Sequence, residues 1–487
     1  MKFIDKDLSA IQEARILMEE AKEVTTRLAL MEQEKLDRIL NEMMEAVQPH
    51  LEELSRMAVL ENGYGCPRDQ VEKSRMLLDG LKWQLKDMRC VGILQPEDGT
   101  GTMEVGVPAG VIAAICPAVN PVASVLNLVL LAVKTGNAII LMPHPRSLRT
   151  TIYTAELLAK AATAAGLPKG TIACIQTPAR EAVRELMESE VTKLVVANGL
   201  PKELKQMAGS TKPILCAGIA PSPVFIERTA DVKQAAADIV LSRSFDCGTT
   251  SASEQYLVVD QVIAEEVKRE LEAQGAWFMS EEEQRKLIGL LGIRSGSVDE
   301  ECTGKSAVWL AAKAGFAVPE NTRVLVSSQP YISDFNPYAK ALLCPVIAFY
   351  IEEDWIHACE KCMNLLVEES CGTTLVIHSR DEEVIRQFVL KKPVGRVLIN
   401  TPAALGAMGV TADLFPSVTL GSASAGQGTM AGNLHPRDLI YIRKAARGVR
   451  TYVPTPDRRH YQQTGSEKKT DAEKILKMIM EQLVEHT

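Results

Sequence analysis

From about residue 105 onward, short apolar runs recur between helical stretches: NAIILMP, TIACIQT, KLVVANG and PILCAG, separated by segments such as TIYTAELLAKAATAAG and AREAVRELMES. Each run stops at turn residues, and apolar side chains at nearly every position suit a strand buried on both faces. Strands of that kind belong in a parallel sheet covered by helices on both sides. A second series follows Gln255: YLVVD, TRVLVSS, PVIAFYI, TLVIHS and RVLIN, interleaved with VIAEEVKRELEAQG and DEEVIRQFVL. The chain therefore reads as α/β with two doubly wound domains, and it shows no internal repeat.

The same punctuation disposes of a membrane reading. Residues Val105 to Val133 carry no charged side chain, which on length alone would nominate a span. Gly106, Pro108, Gly110, Pro117, Asn120 and Pro121 cut the run into a strand, VIAAIC, a turn, PAVNP, and a buried helix, VASVLNLVLLAV. Ahead of it, apolar residues at spacings of three and four in AIQEARILMEEA and KLDRILNEMMEAV make the first ninety residues or so mostly helical.

A net charge of -8 argues against a nucleic-acid or anionic-membrane surface, so small molecules are the expected partners. The opening MKFIDKDLSAIQEAR has no apolar signal core, and a cytoplasmic location is expected. The 11 cysteines are scattered through apolar runs, as at Cys116 and Cys174, and read as reduced core thiols. HACEKC brings His357, Cys359 and Cys362 close in sequence, with Cys371 downstream. A zinc site usually wants a second ligand pair at fixed spacing, and DWIHACEKCMNLLVEE has the period of an amphipathic helix, so no metal is expected. A dinucleotide glycine fingerprint is missing; GTGTME at Gly99 neither follows a convincing strand nor opens a helix.

Three segments in order carry a family likeness: GVIAAICPAVNPVASVLNLVLLAVKTGNAIILMPHPRS, GLPKGTIACIQTPAREAV and SFDCGTTSASEQ. With NGYGCPRDQVEKS, CVGILQPEDGTG, GRVLINTPAALG and FPSVTLGSASAGQG, they make the chain resemble the CoA-acylating branch of the aldehyde dehydrogenase superfamily. The likeness covers roughly residues 1 to 450. It implies an aldehyde dehydrogenase-like fold: a nucleotide-binding domain over 1–223, a catalytic domain over 224–436 and an oligomerisation strand arm over 437–455, in a homodimer or homotetramer. It also implies NAD as cofactor, CoA as cosubstrate and a short aldehyde such as acetaldehyde or propionaldehyde, with sulfoacetaldehyde as an alternative.

In that family a cysteine thiolate adds to the aldehyde, hydride passes to NAD, and CoA takes the acyl group from an enzyme thioester. The resemblance makes Asn120, in PAVNP, the oxyanion donor together with the backbone N–H of Ser251. It assigns His144, Pro145 and Arg146 to the adenosine loop, and Asn198, Gly199 and Lys202 to the pyrophosphate. Leu200 and Ala341 depart from the family pattern. KPILCAGIAPSPV lacks the acid that activates water in hydrolytic relatives, which favours thiolysis.

The sharpest departure is at the nucleophile. The family pattern F-D-N-G-x-x-C-A-S-E-Q, laid on Phe245 to Gln255, puts Cys247 on the asparagine and Ser251 on the cysteine. A serine hydroxyl is far harder to ionise than a thiol of pKa about 8.5. Ser251 then marks an engineered replacement, or a natural homologue that binds nucleotides without catalysis, or Cys247 has become the nucleophile. Residues 456–487 read as a polar joint and a final helix, with Ala472, Ile475, Leu476, Ile479, Met480 and Leu483 on one face of TDAEKILKMIMEQLVEHT. Such a tail resembles the encapsulation peptides of bacterial microcompartment enzymes, and implies docking to shell or cargo proteins.

Overall fold

A computed structural model describes residues 5–96, 101–198, 212–217, 221–292, 300–332, 338, 340–368, 373–422, 430–454, 459–463 and 478. The chain divides into two compact units, residues 1–91 with 107–441, and residues 92–106 with 442–487.

The second unit holds most of a three-stranded sheet, in which β1 (Gly92–Gln95) and β2 (Thr102–Pro108) pair antiparallel and β15 (Ile440–Ala446) follows β2. It also holds an antiparallel pair, β16 (Arg450–Pro454) with β17 (Arg459–Gln463). DLIYIRKAARGV thus supplies β15, the strand its sequence pattern predicts.

The first unit contains two parallel sheets. In one, β3 (Val111–Ile115), β4 (Ala138–Met142), β5 (Ile172–Cys174), β6 (Thr192–Asn198) and β7 (Ile214–Ala217) lie in the order β5-β4-β3-β6-β7. All neighbouring pairs are parallel. The chain winds outward from β3 through β4 to β5, then returns to the other side of β3 for β6 and β7. The strand order therefore reverses between β3 and β6.

Four helices, Lys6–Leu28, Gln33–Val47, Leu51–Asn62 and Pro67–Leu85, precede this sheet and pack on its helical layers. The charge-free run resolves as its punctuation predicts: β3, a turn, and the helix Pro121–Lys134, of which every residue is buried. Each fully buried Leu or Val there contributes about 1.5–3 kcal/mol relative to exposure. Among the described residues, no helix is long and apolar enough to cross a membrane.

The other sheet has β8 (Ser222–Ile226), β9 (Glu254–Asp260), β10 (Ala276–Phe278), β11 (Val324–Ser328), β12 (Val346–Glu352), β13 (Thr374–His378) and β14 (Arg396–Ile399), ordered β10-β11-β12-β9-β8-β13-β14. Separate apolar clusters cover its two faces, one built on residues such as Phe225, Tyr256 and Phe388, the other on Ile239, Leu257 and Phe349. HACEKC lies within the helix Trp355–Glu368. His357 is exposed and bonded to Asp354, whereas Cys362 is fully buried, so the two do not converge; Cys371 lies outside the described residues.

Candidate active site

Ser251 sits in a half-buried turn between the helix Val232–Ser244 and the start of β9. The turn is anchored from behind by Arg243, whose guanidinium is buried and lowered to about 10 by that burial. It donates to the carbonyls of Val346 (3.0 Å) and Leu342 (2.8 Å), to Ser253 Oγ (3.0 Å) and to Gln255 Oε1 (3.3 Å). The segment from Ser253 to Gln255 is thereby fixed to the sheet: Gln255 Oε1 also accepts from the Leu342 N–H at 2.7 Å. Between Ser253 and Gln255, Glu254 is fully buried; Oε1 accepts from the Ala403 N–H at 2.7 Å, while among the described residues Oε2 has no partner.

In front of that anchor the backbone is strained. Five described residues other than glycine have φ in the left-handed region, and four of them, Asn120 (54°), Asp246 (50°), Cys247 (52°) and Ala252 (67°), lie in the turn or at Asn120. Such positions cost on the order of 1–3 kcal/mol each and persist only where surroundings impose them. Here the imposing group is Asp246. Its Oδ1 accepts from the Cys66 N–H (2.8 Å), its Oδ2 from Thr249 Oγ1 (2.8 Å) and Lys73 Nζ (2.7 Å), and its own N–H donates to Asp69 Oδ2 (2.8 Å). Gly65 is required beside it, because a Cβ there would stand 2.0 Å from Asp246 Oδ1.

Lys73 and Asp246 form an ion pair with side chains 1% and 0% exposed. Lys73 Nζ also donates to Asn120 Oδ1, and Asn120 Nδ2 lies 3.4 Å from the Thr249 carbonyl oxygen. The loop after β3 and the turn carrying Ser251 are therefore one hydrogen-bonded assembly. Among the described residues, no carbonyl takes the Ser251 amide N–H. Burial, reinforced by the negative charge of Asp246, pushes the Cys247 thiol up to about 12. At neutral pH it is not a thiolate.

The carboxyl edge of the five-stranded sheet carries the other expected residues. Asn198 ends β6, immediately across the reversal of strand order from the Asn120 loop, and among the described residues neither atom of its buried amide has a partner. An orphaned buried amide at a switch point is what a polar ligand laid across the strand ends would satisfy. After β4, His144 caps a short turn by accepting from the Arg146 N–H at 3.1 Å, and burial lowers its basicity. Pro145 opens that turn, and Arg146 donates to Tyr64 Oη at 3.0 Å and pairs with Glu300. Gly199, Leu200 and Lys202 lie outside the described residues.

Lys73, Asp246 and Asp69 were not among the residues that the sequence singles out. Their one signal is the aspartate of F-D-C-G, a residue type that can occupy left-handed backbone and bind it at once.

The aldehyde dehydrogenase family model matches residues 6–281, which include Asn120, Asn198, the Lys73–Asp246 pair and Ser251. The bifunctional aldehyde-alcohol dehydrogenase of Escherichia coli is 32% identical over 90% of this chain and 50% of its own length, so the chain spans about half of that relative. The acetylating succinate-semialdehyde dehydrogenase of Clostridium kluyveri is 30% identical over 88% of this chain and 94% of the relative. Among solved structures, an acetylating aldehyde dehydrogenase from Geobacillus thermoglucosidasius superposes with a TM-score of 0.90 at 35% identity, covering 93% of this chain and all of that one. Sequence, fold and site geometry agree: the chain belongs to the aldehyde dehydrogenase family.

Proposed function

We propose that this chain carries the site of a CoA-acylating aldehyde dehydrogenase for a short aldehyde such as acetaldehyde or propionaldehyde, and that serine at position 251 leaves the site without its thiolate. The observation that carries the reading is the position of the Asn120 amide against the turn of Ser251, at the strand-order reversal where the Asn198 amide has no partner among the described residues. The acetylating relatives support acyl transfer to CoA rather than to water.

Bound NAD supplies the hydride acceptor, and CoA the thiol that takes the acyl group. Asn198, Arg146, His144 and Pro145 are the described residues that would hold these nucleotides, with Gly199 and Lys202 beside them in sequence. The group at position 251 bonds to the carbonyl carbon as the carbonyl π pair moves onto oxygen. Asn120 and the Ser251 N–H meet that charge with fixed donors, which cost no reorganisation when the charge appears. When the oxygen pair returns, hydride leaves the carbon and an acyl group remains on residue 251. CoA thiol then displaces residue 251, which recovers its proton. The test is turnover by the Ser251→Cys protein with aldehyde, NAD and CoA. Matched NADH and acyl-CoA support the reading; carboxylate in place of acyl-CoA, or no product, refutes it.

Both nucleotides contain adenosine and pyrophosphate, and on this reading they use one crevice at the carboxyl edge in turn. They should therefore compete on the unmodified Ser251 protein: in calorimetric titrations, saturating CoA should raise the apparent Kd for NAD, and NAD that for CoA. Independent saturation by both would refute a shared crevice.

The reading extends to assembly. Ile93, Ile442 and Val449 of the small sheet unit are 54%, 40% and 46% exposed. Among the described residues of this unit no helix covers the small sheet, and a sheet of this size needs packing against another element, so we assign it to the oligomer. The apolar face of 470–487, which apart from Met478 lies outside the described residues, is proposed as a docking helix for a microcompartment shell. Deleting 464–487 should leave the oligomer intact on sizing chromatography and abolish co-assembly with shell proteins. Loss of the oligomer would reassign the tail to the enzyme's own packing.

A further inference from the structure

We propose that Lys73 is a positioning residue of the carbonyl site. Locked by Asp246, its ammonium fixes which way the Asn120 amide faces and strengthens the N–H donors that the amide presents. The inference rests on the reading of Asn120 as the oxyanion donor given above, and it adds a group that touches neither aldehyde nor nucleotide.

The argument starts from donor chemistry. A lysine ammonium has three donors and no acceptor, so the amide atom of Asn120 that it touches must be the oxygen. A flipped amide would set NH2 against the ammonium and turn an attraction into a repulsion. The oxygen is thus held on Lys73 and the NH2 is held on the opposite side, facing the turn that bears Ser251. Its contact to the Thr249 carbonyl, at 3.4 Å, is long. That leaves donor strength for a better acceptor, such as an oxygen gaining charge on a carbon bonded to residue 251.

Lys73 cannot move aside. It projects from the helix Pro67–Leu85 with its side chain 1% exposed, its ammonium lies 5.6 Å from the Phe245 ring centre, and Asp246 holds it at 2.7 Å. A free buried ammonium would itself attract an anion, and Asp246 cancels that. What remains is a local dipole running from Asp246 through Lys73 into the Asn120 carbonyl. Such a chain polarises each successive bond, so the Asn120 N–H groups become better donors. Asp246 is also the residue that constrains the left-handed turn, so one carboxylate sets the position of the attacking residue and of the oxyanion donor together.

A purely structural ion pair would predict different behaviour, and a double-mutant cycle separates the two. In a Ser251→Cys background, Lys73→Met should lower kcat for NADH formation roughly tenfold to a hundredfold, less than the roughly hundredfold to thousandfold cost of removing an oxyanion donor outright, with little change in aldehyde KM. Asn120→Ala should lower it at least as much, and the two combined should be no worse than Asn120→Ala alone. Lys73→Arg, which keeps the charge, should recover part of the loss. Iodoacetamide should alkylate the introduced thiol at an unchanged rate in Lys73→Met, showing the turn intact; if Lys73→Met fails to fold, Lys73→Gln takes its place.

If Asn120→Ala costs activity but Lys73→Met does not, or if their losses multiply, or if alkylation falls with kcat, the inference fails while the oxyanion assignment stands. If Asn120→Ala is fully active, or the Ser251→Cys protein is inactive, the underlying reading fails and the inference with it.

Discussion

Ser251→Cys should raise NADH formation from acetaldehyde, NAD and CoA by a thousandfold or more, on the order expected when an unactivated hydroxyl is replaced by a nucleophile that is partly ionised near neutral pH. No described group is placed to take the serine proton. The charged groups of the hydrogen-bonded assembly are committed elsewhere: Lys73 to Asp246 and Asn120, Asp246 to three donors, and Asp69 to the Asp246 N–H. On the proposed reading the Asn120 amide and the Ser251 N–H are already positioned around the turn, so one atom change should restore most of the rate. Cys247→Ala in the restored background should leave activity within a few fold, because the half-buried Cys247 thiol stays protonated up to about 12. Stopped-flow absorbance of NADH checks both. If Cys247→Ala abolished a rate that Ser251→Cys had not raised, attack would belong to Cys247.

The strands were legible because their composition is their environment. NAIILMP and KLVVANG are apolar on both faces since helices cover both, and they become β4 and β6 within a residue or two. The reversal of strand order was not legible, because which strand ends meet depends on pairing between segments a little over eighty residues apart, as for β3 and β6. β8 escaped because Ser222 and Pro223 disguise a five-residue strand that is wholly buried. Lys73 escaped for a deeper reason. In QVEKSRM it has the look of a solvated helix position, and nothing local announces an aspartate 173 residues away that will neutralise it. Likewise FDCG carries no glycine at the two positions, Asp246 and Cys247, whose backbone is left-handed. Tertiary hydrogen bonds, not local propensity, impose that conformation. The site residues that sequence does reveal are those whose chemistry acts directly; the residues that hold them are revealed by contact alone.

Glu254→Gln should stabilise the protein more at alkaline than at acidic pH, and the expected difference is large. Burial lifts the Glu254 carboxyl from the ordinary 4.5 to about 8, against weaker opposing effects from Ser242 and the Ala403 N–H. The folded protein therefore holds a proton that the unfolded chain releases above about 4.5. Since the unfolded state binds fewer protons in that interval, stability falls as pH rises, beginning near 4.5 and complete once pH passes about 8. At about 1.4 kcal/mol per pH unit over that window, the loss amounts to a few kcal/mol, a sizeable share of the 5–15 kcal/mol typical of a domain. Glutamine keeps the acceptor for the Ala403 N–H and cannot ionise, so it removes this term. Urea denaturation at pH 5 and pH 9 should show Glu254→Gln to be near-neutral at the lower value and stabilising at the higher one. A constant offset between the two proteins across that range would mean that Glu254 titrates alike in both states. The buried carboxylate would then be stabilised by partners that its unsatisfied Oε2 does not now possess.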